Sequence, residues 1–392
     1  MDPTAKDNLA QLDNLLAASN QSWLFGAGIS LDAGIPLMRP LTDRVLARAE
    51  ESGEANDLKV LASIKNQLSD ESHIEHILSQ LGDHKAIAGR SKEKTVKLDD
   101  ISLSVDDLDR LHQRVLTWIA ETIRWGYKPK KDDETPEEVG THENRIIVIK
   151  DHSEFVYALF NRSQAGVAER RRAVRLFTTN YDTLLEDALA LGGFSYWDGF
   201  SGGAVAYRSH RYGDAEPNRG ERAYVIKLHG SIDWHLGEGD QVWRVRDGDL
   251  YPNKISRVLI YPQSTKYLET QRDPFAAQFD LLRRSLGARE ENVLATCGYS
   301  FGDEHINREI ELALQHPENK TTVLAFTQKL NPTLEKWRTK PWSKRVYVIS
   351  EDGLYVSADG PHASPATGEK RDWWTFAGVT KMLNSGAESC AL

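Results

Sequence analysis

The chain has 392 residues, with 49 lysines and arginines against 58 aspartates and glutamates, a net charge of −9. That length accommodates two or three structural units with a sizeable core. The acidic balance, with a pI near 5.8, excludes a broad non-specific nucleic-acid-binding surface.

The opening MDPTAKDNLAQLDN is polar and charged, unlike a signal peptide. No apolar run reaches the length of a membrane span, and mean hydropathy is −0.51, so a cytoplasmic protein is expected. SWLFG at 22–26 is a short apolar run that breaks into glycines, as a buried parallel strand does before a helix. Further runs of this kind stand at 174–178, 224–228, 257–261, 292–296 and 321–326. Helical patterns separate several of them, YDTLLEDALAL and DPFAAQFDLLRRSL among them. This alternation predicts an α/β, Rossmann-like doubly wound parallel sheet over residues 1–45 and 166–330.

Residues 46–165 differ in character. Four segments carry apolar residues at helical spacing, and no convincing strand interrupts them before IIVIK at 146–150. They read as an inserted helical module with an exposed loop at 128–140. Within 51–140 there are 19 acidic and 13 basic side chains, so most of the chain's excess negative charge sits in this module. Beyond 330, RVYVIS and GLYVS suggest a hairpin around Glu351-Asp352-Gly353, DWWTFAGVTKML suggests a terminal helix, and 331–392 reads as an extension packed on the core or in oligomer contacts.

Four motifs end predicted strands, and in a parallel sheet those ends share one edge. Gly26-Ala27-Gly28-Ile29-Ser30, with Gly34-Ile35-Pro36 and Arg39 downstream, follows a strand and is expected to open a helix, the context for a dinucleotide phosphate on helix N–H groups. Thr178-Thr179-Asn180-Tyr181-Asp182 offers an amide and a carboxylate, although taken alone it reads more readily as a helix cap. Leu228-His229-Gly230-Ser231 brings the side chain best suited to general base work, which alone is more often structural. Cys297-Gly298-Tyr299-Ser300 suits a ribose or phosphate contact with low specificity. Cys297 and Cys390 are too few for a disulfide framework or a four-cysteine zinc site. His73 and His76 have metal-like spacing, but a solvated or capping role is preferred, and Arg170-Arg171-Arg172 reads as a solvated face.

In order and placement, GAGISLDAGIP-LMR, TTNYD, LHGS and CGYS resemble the motifs of sirtuins over roughly 20–50 and 170–330. The tyrosine in TTNYD, with GYSFGDEHIN downstream, resembles the bacterial sirtuin-like domains of antiphage defence proteins. The resemblance implies the sirtuin fold and NAD as substrate. Gly26, Ala27, Gly28 and Ser30 would form the phosphate loop, with Ile35, Pro36 and Arg39 in its mobile flank and Thr179 beside the cofactor. Asn180 would orient the nicotinamide ribose and a water, Asp182 the carboxamide, and His229 would be the catalytic histidine. Gly298 and Ser300 would meet the adenosine-side ribose.

Deacylating sirtuins usually carry a structural zinc on two CxxC pairs after the catalytic histidine, whereas residues 231–290 here contain no cysteine. No peptide-clamping strand signature is evident in SYWDGFSGG at 195–203 or in the loop after Tyr261-Pro262. The expectation is therefore an NAD glycohydrolase acting by NAD depletion in antiphage defence, without zinc or other metal. The alternatives are an NAD-dependent protein deacylase and a non-catalytic NAD- or ADP-ribose-binding assembly module. The expected partners are further copies of the chain and a HerA-type ATPase and DNA translocase, with no direct nucleic-acid contact and no membrane.

Overall fold

The first strand, Gln21–Phe25, is buried along its whole length, and its side chains divide between two apolar layers. Trp23 and Phe25 enter one layer and Leu24 the other, as the two-residue period of a strand requires. The computed structural model describes residues 3–132, 135–162, 172–216, 220–237, 241–246, 256–259, 273–287 and 289–391. It is a mixed α/β architecture built on one large, mostly parallel sheet.

That sheet has nine strands. From one edge they run Asp359–His362, Gly353–Val356, Val346–Ser350, Thr321–Phe326, Asn292–Cys297, Gln21–Phe25, Val174–Thr178, Ala223–Lys227 and Tyr196–Trp197. The seven from Val346–Ser350 onward run parallel to one another, and the first two, Asp359–His362 and Gly353–Val356, pair antiparallel. Helices Pro3–Leu16, Lys150–Arg162, Leu184–Leu191 and Phe376–Ser385 cover one face. Helices Phe275–Leu286, Glu304–Gln315 and Pro332–Arg338 cover the other. The chain leaves the first strand for Val174–Thr178 on one side and later fills Asn292–Cys297 on the other. The first strand is therefore the topological switch point, where open α/β sheets form a crevice at their carboxyl ends.

Helices Met38–Ser52, Ala55–Gln67, Ile74–Arg90 and Val105–Trp125 form a separate module with its own apolar cluster. Tyr181, Leu184 and Ile232 of the core join that cluster and dock the module beside the crevice. Val105–Trp125 has a capping box in which Asp107 N–H donates to Ser104 Oγ at 3.1 Å and Ser104 N–H donates to Asp107 Oδ2 at 3.1 Å.

Several sequence expectations are corrected. The module is not all-helical, because Thr95–Leu98 pairs with Ile101–Ser104 and Tyr127–Lys128 with Glu138–Val139, the latter closing the base of the loop expected at 128–140. IIVIK at 146–150 is no strand. Ile146 and Val148 donate to the carbonyls of Trp125 and Ala33, each at 2.9 Å, so the segment is tethered to the module instead of entering a ladder. The helix that follows, Lys150–Arg162, packs in the core through Phe155 and Phe160. The run at 257–261 does not enter the parallel sheet. Ser256–Leu259 instead pairs antiparallel with Gly230–Leu236 in a second, five-stranded sheet. Residues 195–203 supply Tyr196–Trp197 to the large sheet and Phe200–Gly202 to the second.

The segment after 330 continues the large sheet, with Ser350 opposite Gly353 at the tip of its hairpin, and helix Phe376–Ser385 follows. Arg170, Arg171 and the loop after Tyr261-Pro262 lie outside the described residues, and Arg172 pairs with Glu290 at 2.7 Å. Among the described residues no helix is long and apolar enough to cross a membrane.

His112 on Val105–Trp125 makes the module acid-sensitive. Burial, with the nearby Lys85 charge adding to it, pushes its pKa from 6.5 down to about 4. As pH falls from 6.5 towards 4, the unfolded chain binds a proton that the folded chain refuses, so stability present at neutral pH is lost. The contribution is at most about 2 kcal/mol at pH 5. In His112→Gln the difference between denaturation midpoints at pH 7.5 and pH 5.0 should shrink. An unchanged difference would show that His112 is not the group responsible.

Candidate active site

The crevice is assembled by register. Phe25 lies opposite both Cys297 and Thr178, Thr178 opposite Lys227, and Cys297 opposite Phe326. The residues that follow this row, Gly26, Thr179, Leu228, Gly298 and Thr327, therefore leave the sheet at one edge. A cleft of about 760 Å³ lies there, within the usual span for small-molecule sites.

Gly26 and Gly28 sit against the loop after Cys297. Their N–H groups donate to the Cys297 and Gly298 carbonyls at 3.2 and 3.0 Å. A Cβ on Gly28 would stand 2.7 Å from Gly298 Cα, and one on Gly298, whose φ is +63°, would stand 2.5 Å from Ile29 N. The glycines thus permit backbone-to-backbone contact between the two loops, where the sequence suggested a close approach to pyrophosphate. The α-helix expected after the glycines is also absent. A single 3-10 turn, Ala27–Ser30, takes its place, and Met38–Ser52 begins only later. No helix dipole therefore stands behind this loop. Among the described residues lining the cleft there is no lysine or arginine, so a phosphate here would meet backbone N–H groups and hydroxyls.

Ser30 is buried and joins two other motif residues. Its Oγ donates to Asp182 Oδ2 at 2.9 Å and accepts from Asn180 Nδ2 at 3.1 Å. Asp182 Oδ1 accepts the Leu184 N–H at 3.0 Å, at the first turn of Leu184–Leu191, while Oδ2 is held by Ser30. Asn180 N–H is held by Thr178 Oγ1 at 3.0 Å, while its buried Oδ1 has no hydrogen-bond partner. Asn180 lines the cleft, so this oxygen is a spare acceptor at the cleft wall. Lys227, itself buried, donates to the Asp182 carbonyl and lies 3.5 Å from Glu186, tying the Asn180 loop to the neighbouring strand. Burial raises the Glu186 carboxyl, against the pull of Lys227 and Arg246. His152 feels the Asp182 charge, but burial outweighs it and lowers the histidine's pKa.

His229 is buried in the turn after Ala223–Lys227. Its Nε2 lies 3.4 Å from His305 Nε2 and 3.8 Å from Asp303 Oδ1, and the two imidazoles stack with centroids 5.5 Å apart. Cys297 is buried in its strand, and burial pushes its thiol up to about 12.

Of the sequence-predicted site residues, Gly26, Ala27, Gly28, Ser30, Ile35, Pro36, Thr179, Asn180, Asp182, His229, Gly298 and Ser300 line the cleft. Arg39 does not, since it stands exposed on Met38–Ser52. The structure adds Glu75, His73 and His76 from the module, Gln328, and Trp374 from the C-terminal segment. Tyr181 Oη donates to Glu75 Oε1 at 2.6 Å, so the tyrosine of TTNYD binds the module to the site. His73 and His76 make the capping arrangement, with the His73 N–H donating to His76 Nδ1 at 3.2 Å. The sequence carried one usable signal for a missed residue, a lysine in the otherwise apolar YVIKL. A larger cavity of about 1170 Å³ meets this cleft at Asp182 and is lined by Arg124, Asp233, His235 and Arg246.

Residues 174–344 match the family model of the SIR2-like domain. Among solved structures, a Sir2 homolog–NAD complex matches with 13% identity and a TM-score of 0.40, covering 98% of this chain and 95% of that chain. No curated protein matches. The SIR2-like region thus contains the Asn180, His229 and Gly298 motifs. The Gly26 loop lies outside it and joins the site through Gly298.

Gly298→Ala should lower stability by roughly 1–3 kcal/mol, because positive φ and backbone crowding both oppose a methyl group. It should also weaken any ligand of the cleft. A thermal melt indistinguishable from that of the parent chain would contradict the close packing of the two loops.

Proposed function

We propose that this protein is an NAD glycohydrolase that cleaves the bond between nicotinamide and ribose and releases ADP-ribose. The observation that carries the reading is the chain Asn180–Ser30–Asp182, with Asn180 Oδ1 unsatisfied, in the same cleft as His229. The match of residues 174–344 to the SIR2-like domain supports NAD as the substrate class.

Nicotinamide is already cationic in NAD, so it departs as a neutral molecule and needs no general acid. As the C–N bond breaks, charge builds on the ribose in an oxocarbenium-like transition state. Asn180 Oδ1 accepts a hydrogen bond from the attacking water and holds it at the developing cation. Ser30 keeps that amide in a single orientation, because its hydroxyl accepts from Asn180 and donates to Asp182. Asp182 receives the carboxamide N–H groups. Its negative charge also stabilises the positive charge that develops nearby. His229 takes the proton released as water adds to the anomeric carbon, so ADP-ribose, nicotinamide and one proton balance the step.

Hydrolysis is preferred over deacylation because Cys297 and Cys390 are the chain's only cysteines and cannot build the deacylases' four-cysteine zinc module. A non-catalytic sensor would have no use for the unsatisfied Asn180 acceptor and a buried histidine together. The biological role we infer is antiphage defence by NAD depletion. Such an activity is toxic when unregulated, so self-assembly and a HerA-type ATPase partner are the proposed controls. The acidic helical module, docked beside the cleft through Tyr181 and Glu75, is the surface through which assembly would reach the site.

Asn180→Ala and His229→Ala should each lower nicotinamide release from NAD by roughly 10²–10⁴-fold, with folding unchanged. Full activity in both would exclude the mechanism. With the HerA-type ATPase, size-exclusion chromatography should show co-migration and a raised nicotinamide-release rate. A chain whose size and rate ignore the ATPase would remove that partner.

A further inference from the structure

We propose that His229, Asp303 and His305 form a binding site for one divalent transition-metal ion, and that the ion, when bound, takes His229 out of use as a base. The consequence for turnover rests on the glycohydrolase reading. The binding site itself does not.

The three side chains come from separate elements. His229 follows the strand Ala223–Lys227, whereas Asp303 and His305 stand at the start of Glu304–Gln315. Their donor atoms all lie within 4.8 Å of one another, and among the described residues no other group of three histidine, cysteine or carboxylate side chains is so arranged. One separation is already that of a coordination edge. Bonds of about 2.0–2.1 Å to a tetrahedral zinc place neighbouring ligands about 3.3–3.4 Å apart. His229 Nε2 and His305 Nε2 are 3.4 Å apart, long for a hydrogen bond and fitting for a tetrahedral edge. His229 Nε2 and Asp303 Oδ1, at 3.8 Å, come within range after a small side-chain adjustment.

Two imidazoles and one carboxylate suit zinc, cobalt or iron(II) more than calcium or magnesium. Three protein ligands leave a coordination position for water or a substrate oxygen, as open metal sites do. The surroundings favour a cation too. Glu75, Asp182 and Asp303 line the cleft, and among its described lining residues there is no lysine or arginine. The helix start at Glu304 opposes a cation, and the Asp303 carboxylate offsets that.

His229 has one lone pair at Nε2. When that pair coordinates a metal it cannot accept a proton from water, so metal occupancy and general-base action exclude each other. A metal-bound state is therefore a resting state, and removal of the ion restores the base.

The test uses the full chain after chelator treatment. Zinc is titrated by calorimetry and cobalt by visible absorption, in the parent chain and in Asp303→Asn and His305→Gln. One equivalent should bind, with a tetrahedral cobalt spectrum, and affinity should fall in each variant by at least about 10–100-fold, the loss that an outer-shell partner alone causes. Thermal melts of the metal-free variants establish that they fold, and Asp303→Glu should recover part of the affinity. Nicotinamide release should fall as zinc is added and return with chelator. Absence of binding, or binding unaffected in both variants, would overturn the site. Faster turnover in the zinc-loaded chain would overturn the exclusion of metal and base. If the metal-free chain releases no nicotinamide even with the ATPase present, the glycohydrolase reading falls, while the cobalt spectrum still decides the metal site.

Discussion

The contact on which the site depends is the packing of two glycine loops. Gly28 and Gly298 meet backbone to backbone, and their hydrogen bond joins a segment near the amino terminus to one 270 residues later. No side chain fits between them, since added Cβ atoms would stand 2.7 and 2.5 Å from the opposing backbone. On the other side of the first strand, Ser30, at the end of the first loop's single turn, reaches both Asn180 and Asp182. Breaking that hydrogen-bond chain would leave buried polar atoms unpaired, which costs more than the bonds contribute.

Behind the loops, the parallel sheet provides alignment. Trp23 stacks on Phe25 and Phe326, and Phe155 meets both Trp23 and Phe25 edge-on. These rings anchor the first strand to Thr321–Phe326 and to helix Lys150–Arg162, and each buried aromatic contributes on the order of 1.5–3 kcal/mol. Apolar alternation demands one register and one face, and that register brings five strand ends to one level. The lysine in YVIKL is the exception that positions the site. Lys227 is buried at the end of its strand, where it holds the Asp182 carbonyl with Glu186 beside it.

The inserted module and the C-terminal segment both border the cleft. The module reaches it through the Tyr181–Glu75 hydrogen bond, and the C-terminal segment reaches it through Trp374. Movement of the module would therefore be felt at the Asn180 loop without passing through the sheet. Acidity in the module also acquires a second meaning. Together with Asp182 and Asp303, Glu75 adds acidic side chains to a lining whose backbone N–H groups and hydroxyls remain for a phosphate.

Short apolar runs, the glycines after them and the polar residues at their ends were legible in the sequence, because burial dictates residue type wherever a strand is covered on both faces. The run at 257–261 was misleading, because an apolar strand of that length suits a parallel or an antiparallel sheet equally, and only pairing decides. IIVIK failed for a related reason, since Ile147 and Ile149 are apolar to meet the module and the core, not to enter a ladder. His305 and Asp303 were visible as letters in GYSFGDEHIN. Their meeting with His229 depends on how a helix sits against a strand 76 residues away. By itself, then, the sequence determined the layered α/β class and the identity of the polar groups at the crevice. Only the tertiary structure decided which of them share hydrogen bonds, because side-chain convergence across loops is set by packing distances that no local pattern encodes.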